Sequence, residues 1–101
     1  MLKTKAEIRF TLEGRNYTGE LKLRPVFNFG EELLFSGVIK SDNKMYFYNK
    51  PYTVDIDFFT IEDEAYAAVQ PLLQNGMNLA IQEGSNKIIG IAKLLDFEYA
   101  T

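Results

Sequence analysis

Two segments of this chain alternate apolar and polar residues with period two, and that rhythm constrains the fold more than any other feature. Ala6, Ile8, Phe10 and Leu12 alternate with Glu7, Arg9 and Thr11; Tyr52, Val54, Ile56 and Phe58 alternate with Thr53, Asp55 and Asp57. Successive side chains of a strand point to opposite faces, so each segment predicts a strand with one buried and one solvated face. The outer face of the second carries two carboxylates.

Further extended segments are separated by turn chemistry. A turn at Glu13–Asn16, with Gly14 free to take a positive φ, leads into a strand over Tyr17–Leu23. Pro25 cannot donate to a ladder and belongs at a bulge, bend or edge. Val26–Phe29 and Leu33–Ile39 read as extended, separated by Gly30-Glu31-Glu32. Ser41-Asp42-Asn43-Lys44 reads as a hairpin turn between Val38-Ile39 and Met45–Tyr48. Met77–Gln82 and Lys87–Tyr99 close the chain as strands joined by Glu83-Gly84-Ser85-Asn86. The exception lies at 62–69, where Glu62-Asp63-Glu64 suits a helix start and Ala65, Ala67 and Ala68 favour helix. Thr60 is the expected cap, and Pro71 should end or kink the helix.

These readings define one undivided all-β domain over residues 1–101: a small six- or seven-stranded antiparallel closed barrel with one short helix near 62–69. A barrel this small fills its interior with side chains and leaves no room for a ligand. Phe10, Phe27, Phe29, Phe47, Phe58, Ile81 and Ile91 are the expected fill.

The chain contains neither histidine nor cysteine. Ser-His and Cys-His nucleophile systems, imidazole and thiolate metal ligands and disulfides are therefore all excluded. No Gly-x-x-x-x-Gly-Lys-[Ser/Thr] loop occurs, so no P-loop nucleotide site is expected. No apolar run approaches a membrane span of roughly 18–20 residues. Residues 1–7 carry no apolar signal core, which makes the cytoplasm the expected compartment. The expectation is a protein that is not an enzyme and uses no cofactor and no metal.

Net charge is −3, unevenly spread. Residues 1–25 hold six cations against three anions, giving +3; the remainder holds five against eleven, giving −6. An acidic total disfavours indiscriminate nucleic-acid binding while leaving a basic N-terminal face.

Three short motifs then carry a resemblance. Glu13-Gly14-Arg15 is followed after eight residues by Arg24-Pro25, with Phe27 and Phe29 beyond, and Ala80-Ile81-Gln82-Glu83-Gly84 comes late. In order and spacing these resemble the third, C-terminal β-barrel domain of elongation factor Tu, here as a stand-alone domain. Glu13 replaces one glycine of the family's first turn, Asn16 stands where the factor usually has histidine, and Val26 replaces a polar residue. The second turn is one residue longer than the family's, and the segment around 62–70 is extra. In the factor this domain packs on neighbouring domains and helps hold aminoacyl-tRNA. The resemblance therefore implies two roles, a protein-contact module or a tRNA/RNA binder. The RNA reading uses Arg15, Asn16, Lys22, Arg24, Glu83, Gly84 and Lys87, since guanidinium suits phosphate and a carboxylate accepts from a ribose 2′-OH.

Two other constellations stand out. Lys44, Tyr46, Tyr48, Lys50 and Tyr52 interleave bases with aromatics; with Met45 and Phe47 facing inward, Tyr46 and Tyr48 would face solvent, either as a stacking platform or as cross-strand partners. Asp55, Asp57, Glu62, Asp63 and Glu64 form an acidic region without the spacing of a calcium loop, and read as a solvated face plus a helix start. Leu33-Leu34-Phe35 and Leu94-Leu95 supply more apolar residues than one buried face consumes. The leading expectation is a non-catalytic binding module acting on a protein partner or as a homodimer; RNA binding is the alternative.

Overall fold

The structure is a computed structural model that describes residues 1–13, 16–18, 25–84 and 87–100, the side chain of Thr18 apart. The element order is β1 (Leu2–Phe10), β2 (Tyr17–Thr18), β3 (Val26–Asn28), β4 (Leu34–Ser36), β5 (Val38–Lys40), β6 (Met45–Tyr46), β7 (Tyr52–Phe58), α1 (Asp63–Val69), β8 (Asn78–Glu83) and β9 (Lys87–Tyr99). A 3-10 turn, Gln70–Leu72, holds Pro71 and ends the helix. Residues 19–23 of the expected second strand lie outside the described residues.

Seven strands form one antiparallel sheet in the order β4-β3-β8-β9-β1-β7-β5, a nearly closed barrel. The first and last strands of that order are consecutive in sequence, separated by Gly37 alone. Residues 34–40 thus run as one extended segment that pairs with β3 before Gly37 and with β7 after it. The chain itself joins the two edges that an open sheet would expose. The corner demands glycine: a Cβ there would stand 2.8 Å from both the Phe27 ring and Ile56.

The long central strands behave as their alternation predicts. Leu2, Ala6, Ile8 and Phe10 of β1 and Val54, Ile56 and Phe58 of β7 are buried. Two aromatic groups fill the interior. Phe27 and Phe29 meet Phe58 edge-on at 5.2 and 5.1 Å, beside the start of β1. At its end, Phe10 stacks on Tyr17 at 4.5 Å and packs on Tyr46 at 5.5 Å. The small β2–β6 sheet thus covers that end of the barrel.

Five of the expected core residues (Phe10, Phe27, Phe29, Phe58 and Ile81) are buried, but Phe47 and Ile91 are exposed. For Ile91 the cause is an irregularity in β9. Ile81 pairs with Gly90 and Gln82 with Ile88, so Ile89 is an extra residue. Such a bulge resets the parity beyond it: Ile89 turns in, and Ile88 and Ile91 both lie outside.

For Phe47 the cause is a different pairing. Residues 41–44 do not close a hairpin, because β5 pairs with β7 while β6 pairs with β2. The side-chain oxygen of Ser41 instead accepts hydrogen bonds from Asn43 within a local turn. Tyr46 is consequently inward, and Met45 and Phe47 outward, the reverse of the expected parity. The helix start also differs, since the N-cap is Glu62 rather than Thr60, with no side-chain cap bond.

Candidate binding surfaces

Three surfaces carry the chemistry of this barrel. The first is the end where β1 terminates. Thr11 N–H donates to the Ile89 carbonyl at 2.9 Å and Asn49 N–H to the Phe10 carbonyl at 2.7 Å. These bonds bring the end of β1, the 47–50 loop and the start of β9 together. The end of β8 and the start of β9 lie at the same end, with Glu83 opposite Lys87 in register and Gly84 at φ +70°. Of the residues singled out for RNA, Asn16, Glu83, Gly84 and Lys87 therefore sit at one end of the barrel; Arg15, Lys22 and Arg24 lie outside the described residues. Asn16 has a structural task, its side-chain oxygen accepting the Tyr48 N–H at 2.9 Å.

The second surface is a shallow cleft of about 380 Å³ across the outer face of β5, β7, β1 and β9. Register places Lys3 opposite Asp57 and Glu98, and Lys5 opposite Asp55 and Asp96. Cations and anions thus alternate from strand to strand, the arrangement of stabilising cross-strand pairs. Lys40 Nζ lies 2.6 Å from the Asp57 carboxylate, whose side chain is only 8% exposed. The acidic region anticipated at 55–64 is therefore divided: Asp57 is buried and paired, while Glu62 and Asp63 belong to the helix start. Among the described residues, no three acidic side chains are grouped to hold a metal ion.

At that helix start, the Met1 ammonium donates to Glu62 at 2.8 Å, and this hydrogen bond holds the Glu62 carboxyl below its ordinary value. The Tyr99 phenol accepts from the Asp63 N–H at 2.7 Å, and its ring stacks on Tyr66 at 3.8 Å. Burial, with the neighbouring charge of Asp63, pushes the phenol up.

The third surface is the outer face of β4, β3, β8 and β9. One row across it reads Leu34, Asn28, Ala80, Ile91; the next reads Ser36, Val26, Gln82, Ile88. Ile88 is 55% exposed and Ile91 44%, and Leu34 is exposed as well. Alternation alone assigned Ile91 to the interior, so its place on this face was legible only with the bulge.

Among the described residues, no helix is long and apolar enough to cross a membrane. No protein-family model matches the chain, and no curated protein matches it.

Proposed function

We propose that this chain is a non-catalytic binding module, a stand-alone barrel of translation-factor type that works through protein contacts on the outer face of β4, β3, β8 and β9. The observation that carries the reading is the set of outward apolar residues within the two rows, which also hold Asn28, Ser36 and the buried Gln82. Ile88 and Ile91 on β9 and Leu34 on β4 are exposed and Val26 on β3 is half-buried, with Ala80 and Gln82 of β8 between them, on a sheet whose inner face is already a filled core. Large apolar side chains left exposed on one sheet face are characteristic of interaction sites. The resemblance to the third domain of elongation factor Tu supports the reading, since that barrel packs against neighbouring domains.

The test is an Ile88→Lys/Ile91→Lys double variant. Sedimentation velocity from micromolar to millimolar protein reads self-association, and affinity capture from native lysate reads heterologous partners. Either the wild type self-associates and the variant does not, or specific proteins are captured by the wild type and lost from the variant. A folded variant indistinguishable from wild type in both measurements overturns the reading.

A further inference from the structure

We propose that the loop 44–50 is a stacking site for single-stranded nucleic acid, separate from the apolar sheet face. Phe47 and Tyr48 are 49% and 42% exposed, although each belongs to a residue type whose ring normally seeks burial. Their exposure is built in. All four consecutive amides from 47 to 50 are hydrogen-bonded: Phe47 N–H to the Tyr52 hydroxyl at 3.0 Å, Tyr48 N–H to Asn16 at 2.9 Å, Asn49 N–H to the Phe10 carbonyl at 2.7 Å, and Lys50 N–H to the Phe47 carbonyl at 3.3 Å. Asn49 completes the loop with a φ of +58°. A backbone held at every amide presents its two rings at little further cost in conformational entropy when a ligand binds.

Charge selects the ligand. Residues 44–52 contain Lys44 and Lys50 and no acidic residue, within a chain of net charge −3. Both lysines are exposed, and neither lies within ion-pair distance of a carboxylate among the described residues. Lys50 rests 5.7 Å from the centre of the Tyr52 ring, beside the exposed aromatics. A protein partner would have to desolvate these lysines, and lysine is depleted in protein interfaces. Phosphates can engage lysines that remain largely hydrated while unpaired bases stack on the rings, the combination used for sequence-tolerant single-strand binding. The bases of a duplex are stacked on one another and do not offer these faces.

Fluorescence anisotropy with labelled oligo(U) and oligo(dT) tests the proposal, with a duplex of equal length as control. Saturable binding to the single strands, tighter than to the duplex, is expected. Two lysine–phosphate contacts give a slope of roughly −1.4 in log K against log salt, and Lys44→Ala or Lys50→Ala each removes about half of it. Phe47→Ala and Tyr48→Ala each weaken binding roughly five- to hundred-fold and leave the salt slope unchanged. Phe47→Trp keeps the platform and adds an indole, absent from the native chain, whose fluorescence is quenched as the oligonucleotide binds. The proposal is overturned by absence of saturable binding, by a duplex bound as tightly as the single strand, by alanine variants that bind like wild type, or by an unquenched indole.

Discussion

A Cβ placed on Gly37 would stand 2.8 Å from the Phe27 ring, so the corner that joins the two edges of the sheet has no space for a side chain. Gly37 also donates its N–H to the Pro25 carbonyl at 3.1 Å, tying the corner to the residue before β3. Gly37→Ala should cost about 1–3 kcal/mol through overpacking. A lower urea midpoint at unchanged m-value would report it. In a double-mutant cycle the cost of Gly37→Ala should be smaller in a Phe27→Leu background, which relieves one of its three close contacts and leaves those with Ile56 and Phe58. An alanine variant as stable as wild type would show that the corner is not sterically closed.

Lys40 and Asp57 form a lopsided pair, the lysine side chain 57% exposed and the carboxylate 8%. Removing the lysine leaves a covered carboxylate without its counter-ion. The open lysine side admits solvent, which reduces the several-kcal/mol loss seen for fully buried pairs. Lys40→Ala should therefore cost about 1–2 kcal/mol, and Asp57→Asn in that background should recover part of it. A double-mutant cycle in urea measures the coupling; additive single effects would mean the contact contributes nothing.

The β3–β4 connection contains a turn with the Leu33 N–H bonded to the Gly30 carbonyl at 2.9 Å. Its two central residues, Glu31 and Glu32, both have positive φ, 51° and 63°. Turns of type I′ require that geometry and favour Asn-Gly, because non-glycine residues are strained there. Glu31→Asn/Glu32→Gly should stabilise the protein by about 1 kcal/mol, raising the melting temperature by roughly 4–8 °C. Calorimetry reads the shift directly, and a fall in melting temperature would contradict the turn geometry.

The Glu62 carboxyl is held below its ordinary value of 4.5 by its hydrogen bond from the Met1 ammonium. A carboxylate whose pKa is depressed by folding contributes stability above its unfolded value and loses it as pH falls through the folded value. Glu62→Gln should accordingly lie below wild type in melting temperature at neutral pH and converge on it below pH 4.5. Parallel curves down to low pH would show that the contact does not contribute.

Much of the barrel was legible in the sequence because β1 and β7 are regular over most of their length. Where a strand keeps its parity, alternation assigns Ile8, Phe10, Val54, Ile56 and Phe58 inward without knowledge of their neighbours. The candidate surfaces were less legible. The basic and aromatic composition of residues 44–52 marked the loop, and Tyr48 faces outward as expected, but Met45, Tyr46 and Phe47 are reversed because β6 pairs with β2. Ile88 and Ile91 share the outer face only because Ile89 is an extra residue.

By itself, then, the sequence determined the all-β class, the short helix near 62–69 and the aromatic content of the interior, since local periodicity and composition encode these. Tertiary structure alone decided that Gly37 joins the sheet edges, that Lys40 covers Asp57, and that Phe47 rather than Tyr46 faces solvent. Each of these depends on which distant strand lies alongside, and a one-residue change in register reverses every side chain beyond it.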